Sequence, residues 1–294
     1  MSALPPSLPI EALAHYLRAE GLTRGEQLTL SPLSGGQSNP TFLLDSASHR
    51  YVLRTKPSGQ LIASAHAIDR EYRVMKALQD RAVPVPRMFG YCEDETIIGT
   101  PFYIMEFLEG RVLVDQSLPG MTPQERGEIY REMNRVIATL HSVDYAAAGL
   151  SSFGRPGNYF ARQIGRWSRQ CQESTLPLND AMQRLMEWLP DHIPAGDETT
   201  LVHGDYRLDN LLFHPTEPRV IGVLDWELST LGDPMADFSY LLIGWVIPAS
   251  LRNGLGGADL QALGIPSIEV TVARYAAKTG TAPPSNLDWL FAYN

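Results

Sequence analysis

The segment LVHGDYRLDNLLF, which begins at Leu201, places polar and charged residues between two apolar runs. It contains His203, Asp205 and Asn210, a mixture that a loop serving only to connect two strands does not need. A second apolar run, VIGVL, follows and leads into Asp225. The runs LLF and RVIGVL are typical of two short strands joined as a hairpin, which would return Asp225 to the neighbourhood of Asn210.

The spacing within this segment indicates phosphoryl-transfer chemistry. His203-x-Asp205 followed by Asn210 fits the H-x-D-x-x-x-x-N arrangement of phosphotransferase catalytic loops. The aspartate of such a loop accepts or orients the proton of the hydroxyl that is phosphorylated, so Asp205 is the predicted catalytic base. Asn210 and Asp225 are the predicted ligands of a Mg²⁺ ion that accompanies ATP.

The balance of charges around this segment supports a bound cation. Between Asp191 and Tyr240 there are ten acidic residues and two basic ones, Arg207 and Arg219. Clustered carboxylates raise one another's pKa unless a cation lies among them. Mg²⁺ with nucleotide phosphates suits this composition, because it prefers one or two carboxylates together with phosphate oxygens.

Apolar periodicity predicts an α+β chain made of two unequal lobes. Before about residue 106, runs such as RYVLRTKP and PFYIMEFLEG indicate strands, with helices at IEALAHYLRAE and SAHAIDREYRVMKAL. Helices dominate afterwards, and TPQERGEIYREMNRVIATLHSV has Thr122 as its expected N-cap and Pro123 at its first position. We therefore expect a β-rich lobe over residues 1–106 and a mainly helical lobe over 107–294.

The backbone of the first lobe offers two expected contacts with a nucleotide. The turn SGGQSNP contains Gly35 and Gly36, which would let the backbone approach the phosphates closely, although most Gly-Gly turns only join strands. Backbone atoms from Glu106 to Leu108, at the end of the strand PFYIMEFL, are expected to receive the adenine.

Two basic residues of the first lobe are candidates for binding the α- and β-phosphates. Arg54 and Lys56 lie two positions apart and so share one face of a strand, and the register favours Arg54. Glu71 lies just off the apolar stripe of the following helix and is the expected ion-pair partner.

Composition and charge exclude several classes of function. The formal net charge of −9 disfavours a nucleic-acid partner, because phosphate backbones are bound by an excess of Lys and Arg. The N-terminal sequence has no secretory pattern, and the longest apolar stretch, YLLIGWVIPA, is too short to span a bilayer and indicates a buried helix. Cys92 and Cys171 have no metal or redox spacing, so we expect a cytoplasmic protein without a membrane partner.

The combined motifs resemble those of the aminoglycoside phosphotransferase-like kinases, a family similar to the choline kinases. SGGQSNPTF, YVLR, DREYRVM, MEFLEG, HGDYRLDNLLF and VLDWELSTLGDPMADFSY carry the resemblance over nearly the whole chain. It implies a bilobal protein-kinase-like fold, ATP and Mg²⁺ as cofactors, Asp205 as base, and Asn210 with Asp225 as metal ligands. Most aminoglycoside kinases have lysine at the position of Arg54, but arginine is also charged and can bind phosphate bidentately.

One branch of that family is more similar still. RPGNYFARQIGRW, HPTEPRVI and WELSTLGDP resemble the kinase-like part of some acyl-CoA-dehydrogenase-like proteins, and separate bacterial proteins of the same kind. The association of that branch with acyl-CoA metabolism implies a hydroxyacyl-CoA as phosphate acceptor. Its members continue past the sequence LDWLFAYN, so we expect this chain to be a fragment.

Several charged residues are candidates for contact with the acceptor. Arg162 and Arg166, with Arg169 one further turn on, recur on one face of the predicted helix NYFARQIGRWSRQ, and Arg155 stands just upstream. This face is either simply solvated or an anion-binding patch, which would repel a polycationic aminoglycoside and attract a coenzyme A thioester.

Other residues have both a structural and a functional interpretation. Arg207 and Asp209 either contact the substrate or form salt bridges within the loop. His203 is expected to hold the loop by hydrogen bonds, and Asp233 and Asp237 are expected to cap a helix. The residues expected in the hydrophobic core are His141, Trp167, Trp188 and Trp245.

The leading interpretation is an ATP-dependent kinase whose partner is a small molecule with a hydroxyl group. An aminoglycoside-type antibiotic kinase stays open, as does an inactive regulatory domain that binds nucleotide, which the arginine at position 54 favours. A metal-dependent phosphohydrolase built on His203, Asp205 and Asp225 is disfavoured, because one histidine makes a poor transition-metal site.

Overall fold

The computed structural model describes residues 8–33, 39–47, 49–57, 68–175, 177–196, 198–251 and 254–294. The chain forms two compact units, Met1–Asp80 with Val85–Glu109 and Arg81–Pro84 with Gly110–Asn294. Gly35 and Gly36 lie outside the described residues. No helix in the described part of the chain combines the length and the apolar character that crossing a membrane requires.

The first unit is built on an antiparallel sheet of five strands in the order β1-β2-β3-β5-β4. Its elements are α1 (Ile10–Ala19), β1 (Thr29–Pro32), β2 (Thr41–Asp45), β3 (Arg50–Thr55), α2 (Ile68–Leu78), β4 (Met88–Cys92), α3 (Glu95–Ile98) and β5 (Phe102–Glu106). Alternate side chains of β2 and β3, with Leu44 and Leu53 almost fully buried, pack with α1 through Leu13 and Leu17. Strand β4 was not anticipated, because its sequence MFGYC contains a glycine and lacks alternation.

The second unit is mainly helical and carries two small antiparallel sheets, β10-β7 and β6-β8-β9. Its elements are β6 (Arg111–Val112), α4 (Pro123–His141), α5 (Tyr159–Glu173), α6 (Asp180–Asp191), β7 (Thr200–Val202), β8 (Leu211–Phe213), β9 (Val220–Val223), β10 (Thr230–Gly232), α7 (Pro234–Val246), α8 (Leu260–Leu263), α9 (Ile268–Thr279) and α10 (Leu287–Tyr293). Single 3-10 turns cover Leu208–Asn210 and Trp226–Leu228. The expected buried helix is confirmed as α7, in which nine residues are buried.

The expectation for the tryptophans was right for Trp245 and wrong for two others. Trp245 is buried, but the exposed fractions of Trp167 and Trp188 are 46% and 42%. Both lie on outward faces of amphipathic helices, and one polar side chain packs against each ring. The guanidinium of Arg166 lies 4.7 Å from the ring centre of Trp167, and the ring of His192 stacks on Trp188.

The start of α4 is held by a capping box, as its sequence predicts. The side chain of Thr122 accepts a hydrogen bond from the amide of Glu125, and the Glu125 carboxylate accepts one from the amide of Thr122. Pro123 occupies the first turn, where the missing N–H costs nothing. The helix then buries Met133 and Ile137 in the second unit.

We predict that Thr122→Ala lowers the free energy of unfolding of the second unit by about 1 kcal/mol, because the first turn of α4 loses its cap. All five tryptophans lie in this unit, so tryptophan fluorescence during denaturation reports on it selectively. Thr122→Ser keeps the capping oxygen and should unfold like the wild type. Equal stability of the alanine and serine variants would show that the cap contributes nothing.

Candidate active site

The predicted catalytic loop follows directly from strand β7 of the second unit. Val202, the last residue of β7, pairs with Thr230 of β10, so the loop leaves a hydrogen-bonded strand. Gly204 has a φ of 86°, and a Cβ at this position would lie 2.7 Å from the carbonyl oxygen of Leu228. Only glycine fits here, because both the backbone conformation and the space exclude a side chain.

A buried carboxylate of helix α7 clamps the loop. Asp237 accepts hydrogen bonds from the amides of His203 (2.6 Å) and Gly204 (2.7 Å). The structure therefore corrects the expectation that Asp237 caps a helix, because its oxygens bind the loop rather than the first turn of α7. Asp233 does cap α7, since its side chain accepts a hydrogen bond from the amide of Met235.

Two further buried side chains complete the surroundings of Asp237. Nε2 of His141 lies 3.3 Å from Oδ2 of Asp237, and Nδ1 of His141 lies 2.7 Å from the hydroxyl of Tyr275. Burial raises the pKa of Tyr275 and keeps its phenol protonated, so the phenol can donate to Nδ1 of His141 while Nε2 of the same ring donates to Asp237. The expectation of a satisfied core histidine is confirmed.

The pKa of Asp237 lies below its ordinary value. Burial alone raises it, but the hydrogen bond and electrostatic interaction with His141, and then the electrostatic interaction and backbone N–H of His203, outweigh that effect. Asp237, of which 2% is exposed, is therefore ionised at neutral pH. The clamp is a charge-assisted pair of hydrogen bonds to the backbone of the loop.

His203 is a structural residue, as the sequence predicts. It is fully buried, its Nδ1 accepts a hydrogen bond from the amide of Asp205, and its Nε2 donates to the carbonyl of Leu224 at 2.9 Å. Both ring nitrogens are thus used within the protein, and one of them connects the loop to the residue that precedes Asp225. A metal-dependent phosphohydrolase that needs His203 as a ligand is not supported by this arrangement.

The carboxylate of Asp205 is oriented by its neighbours in the loop. Nδ2 of Asn210 donates to the backbone carbonyl of Asp205 at 2.8 Å and to its Oδ2 at 2.9 Å. Nε of Arg207 lies 3.3 Å from Oδ1 of Asp205 and 3.2 Å from Oδ1 of Asp209. Arg207 and Asp209 therefore form the salt bridges that were one of their two interpretations, and a contact with substrate stays a prediction.

The hairpin expected between Asn210 and Asp225 is present. Leu211 pairs with Val223 across β8 and β9, and the amide of Leu224 donates to the carbonyl of Asn210 at 2.9 Å. Asp225 follows with a φ of 65°, in the left-handed region, which aspartate and asparagine tolerate better than other residues with a side chain but less well than glycine. This backbone conformation turns the chain sharply at the predicted metal ligand.

The polar groups at this hairpin suit a hard cation such as Mg²⁺. The Asn210 amide nitrogen is already hydrogen-bonded to Asp205, which leaves its oxygen as the atom suited to a metal. Asp225 adds a carboxylate, and amide and carboxylate oxygens are the ligands that Mg²⁺ prefers. The residues fit the ion, and their role as its ligands stays a prediction.

Tyr240 is a member of this group that the sequence-based analysis missed. Burial, followed by the charge of Asp205 and a hydrogen bond to it, raises the pKa of Tyr240 to about 12. With Arg207 and Asp209 it lines a pocket of about 150 Å³, whose other walls are mostly apolar and include Leu208 and Trp245. Only its position six residues into α7, one turn from Asp237, could have indicated it.

The first unit contains the predicted pair of Arg54 and Glu71. Nε of Arg54 lies 2.9 Å from Oε2 of Glu71, and the Glu71 carboxylate also accepts hydrogen bonds from Asn39 Nδ2 and the Tyr103 hydroxyl. Glu71 is 1% exposed and lies on the buried face of α2, so placing it off the buried stripe was wrong. A carboxylate with three donors can be buried, which apolar periodicity cannot show.

The other nucleotide-binding candidates of the first unit differ in surroundings. Lys56 lies past the end of β3 and is exposed, whereas the side chain of Arg54 is 11% exposed. The amide of Glu106 already donates to the carbonyl of Arg87 at 2.8 Å, so only other backbone atoms of Glu106 to Leu108 suit an adenine. Binding of phosphate or adenine by these residues stays a prediction.

The clamp gives a testable prediction. We expect Asp237→Asn to lower the free energy of unfolding by about 3 kcal/mol at pH 7, because the amide group of asparagine would face an amide N–H with another donor. Asp233→Asn, four residues away in the same helix, is the matched control, since asparagine caps as well as aspartate. Similar losses in both variants would contradict the clamp.

The ionised Asp237 also predicts how the stability of the protein depends on pH. The folded-state pKa of Asp237 is lowered, so its stabilisation is complete above the unfolded pKa, about 3.9, and is lost as the pH falls through the folded value. Wild type should lose more stability than Asp237→Asn when the pH is lowered from 6 towards 3. Parallel pH profiles from denaturation would overturn this assignment.

Comparisons with known proteins identify the family of the chain. A model of the phosphotransferase enzyme family matches residues 29–270. Acyl-CoA dehydrogenase family member 10 of mouse is 45% identical over 291 residues, which are 98% of this chain and 27% of that protein. Acyl-CoA dehydrogenase family member 11 of human is 41% identical over 269 residues, 91% of this chain and 34% of that protein. The chain thus spans about a third or less of the length of these relatives.

Solved structures confirm the expected protein-kinase-like fold. A Ralstonia eutropha protein assigned as an aminoglycoside phosphotransferase is 51% identical, with a TM-score of 0.89 over 97% of this chain and 85% of that one. The aminoglycoside phosphotransferase APH(2'')-IIa, solved with streptomycin and ATP, shares the fold with a TM-score of 0.62 over 96% of this chain and 86% of that one, at 18% identity. The chain therefore belongs to the phosphotransferase enzyme family, in a branch shared with parts of acyl-CoA dehydrogenase family members 10 and 11.

Proposed function

We propose that this protein transfers the γ-phosphate of ATP to a hydroxyl group of a small molecule. The observation that carries the proposal is the joint placement of Asp205, Asn210 and the segment ending at Asp225. Asn210 is hydrogen-bonded to the Asp205 carboxylate, and Leu224 is hydrogen-bonded to Asn210 and to His203. The proposed base and the two proposed metal ligands therefore lie on one clamped loop and hairpin.

Asp205 is the proposed general base. The acceptor hydroxyl gives its proton to this carboxylate as its oxygen bonds to the γ-phosphorus, while the bond from that phosphorus to the bridging oxygen breaks and ADP leaves. Mg²⁺, when bound by Asn210 and Asp225, neutralises charge on the phosphates. Arg207 and Tyr240 hold the carboxylate in place, so catalysis comes mainly from positioning and charge.

The first unit is proposed to bind the nucleotide. Arg54 would contact the α- and β-phosphates while paired with Glu71, since a planar guanidinium with five N–H donors can serve more than one partner. The Glu71 carboxylate is anchored by Asn39 and Tyr103, which fixes the direction of Arg54. Lys56 is the second candidate for the phosphates, and the segment from Glu106 to Leu108 is the proposed adenine contact.

The proposed acceptor is a hydroxyacyl-CoA. Its support is the likeness to relatives described as acyl-CoA dehydrogenases, although the chain spans only part of them. The pocket beside Asp205 offers mostly apolar walls and a single carboxylate, Asp209, which Arg207 already pairs. Such walls suit an alkyl chain with a hydroxyl better than the several ammonium groups of an aminoglycoside.

An inactive nucleotide-binding domain is the alternative, favoured by arginine at position 54. The two functions differ in outcome: the inactive domain would gain thermal stability from ATP with Mg²⁺ and would release no ADP with any acceptor. The arginine is already ion-paired with Glu71, as the phosphate-binding lysine of a kinase is, which favours the active enzyme.

The proposed base has a direct test. Asp205→Asn should lower kcat about 10²- to 10⁴-fold with little change in the Kd for ATP, because the lost group acts on the acceptor proton. ADP release in a coupled assay measures kcat, and equilibrium titration measures the Kd. Asp288→Asn changes an exposed carboxylate of α10 and is the matched control. Turnover that survives in Asp205→Asn would refute the assignment.

A further inference from the structure

Helix α5 and strand β10 of the second unit border an open cleft of about 460 Å³. Besides four arginines, its walls are formed by Tyr159, Ala161, Gln163, Gly165, Thr230 and Leu231. The four arginines are Arg155, Arg162, Arg166 and Arg169. The lining residues include no acidic side chain, so a cleft with four positive charges lies on a protein whose formal net charge is −9.

These arginines lack carboxylate partners within the part of the chain that the structure describes. By contrast, Arg135 and Arg219 of the same unit each lie within 2.9 Å of a glutamate oxygen. Four guanidinium groups around one cleft repel one another, and the repulsion is relieved when an anion binds among them. An ordinary solvated helix face mixes charges of both signs, whereas the charged side chains that line this cleft are all positive.

The walls of the cleft are joined by a hydrogen bond and by direct packing. Nη2 of Arg162 donates to the backbone carbonyl of Arg155 at 2.6 Å, which joins the helix to the preceding loop. A Cβ on Gly232 of β10 would lie 2.6 Å from the ring of Tyr159, so helix and strand are in direct contact. Between the arginines, Gly165 leaves the floor of the cleft open.

The cleft is connected to the catalytic loop through the β10-β7 pair. Thr230, which lines the cleft, pairs with Val202, and His203 to Asp205 follow Val202 directly. Asp225 lies five residues before Thr230 in the chain. A ligand bound by the arginines is therefore held by the same elements that hold the catalytic loop.

We propose that this cleft binds phosphate groups carried by the acceptor itself, at a distance from the hydroxyl that is phosphorylated. The inference rests on the proposed function, which it deepens by assigning the phosphate-bearing arm of the acceptor to Arg155, Arg162, Arg166 and Arg169. The planar guanidinium binds phosphate bidentately, and several of them suit a diphosphate with an additional phosphate, as in coenzyme A. Free inorganic pyrophosphate or a nucleotide offers the same chemistry and is distinguished by the test.

The test measures binding of coenzyme A to the full chain without ATP, by titration calorimetry at low ionic strength. The double variant Arg162→Gln/Arg166→Gln should bind coenzyme A at least about tenfold more weakly, since two charge-assisted contacts are lost. Arg184→Gln, an exposed arginine on α6 outside the cleft, should bind like the wild type. Pantetheine, which lacks phosphate, should not bind.

Competition separates the possible sources of the anion. Pyrophosphate should displace coenzyme A only at much higher concentration, and the Kd for ATP with Mg²⁺ should be equal in the wild type and the double variant. Pyrophosphate that binds as tightly as coenzyme A would mean a site for free anions and would overturn the proposal. So would equal affinity of the double variant and Arg184→Gln, or tight binding of pantetheine.

The outcome is independent of phosphate transfer. Binding of coenzyme A that depends on the arginines, without turnover, would support the cleft and refute the proposed function. Turnover together with coenzyme A binding that does not depend on the arginines would support the proposed function and refute the cleft. If the double variant unfolds, the exposed single variants Arg155→Gln and Arg169→Gln replace it, each with an expected loss of a few-fold. Their unfolding midpoints, followed by tryptophan fluorescence, check the fold.

Discussion

The arrangement of the second unit depends on one buried carboxylate, Asp237. A carboxylate with 2% exposure is tolerated only when donors compensate for its lost hydration, and here two backbone amides and His141 do so. Because those amides belong to His203 and Gly204, the need to satisfy Asp237 fixes the path of the chain just before Asp205. Helix α7 thus determines where the predicted catalytic loop lies, although it supplies none of the residues of the H-x-D-x-x-x-x-N spacing.

Two further bonds extend this constraint to the predicted metal ligands. His203, held by its backbone, donates from its ring to the carbonyl of Leu224, and Leu224 donates to Asn210. Leu224, which directly precedes the left-handed backbone of Asp225, is therefore hydrogen-bonded both to the clamped loop and to the β8-β9 hairpin. Strain of this kind persists only where the surrounding structure is over-determined, as it is here.

The first unit contains a similar device. Glu71 is as buried as Asp237, is satisfied by three side chains, and orients Arg54, the predicted phosphate ligand. In both units a saturated, buried carboxylate orients residues that are more exposed than itself and that are predicted to carry the chemistry. This division explains why the two buried acids were misjudged from sequence, since their donors come from residues distant in the chain.

Much of the candidate site is readable from the sequence because its members are close together in the chain. The H-x-D-x-x-x-x-N spacing and the apolar runs predict the loop and the hairpin that brings Asn210 towards Asp225. Tyr240 and the clamp by Asp237 are not readable, because a helix packed against the loop supplies them. Trp167 and Trp188 were wrongly expected in the core. The amphipathic pattern alone does not reveal that a large apolar side chain can stay exposed with a polar neighbour packed against its ring.

The central claim is that this clamped loop passes the γ-phosphate of ATP to a hydroxyl. Phosphorus NMR of the protein with ATP, Mg²⁺ and a hydroxyacyl-CoA tests it most directly, with an acyl-CoA of the same length but without the hydroxyl as control. Transfer to the hydroxyl gives a new phosphomonoester signal that grows in step with ADP and is absent in the control. A γ-phosphate recovered only as inorganic phosphate, or ATP that stays intact with every hydroxyl acceptor, would contradict it.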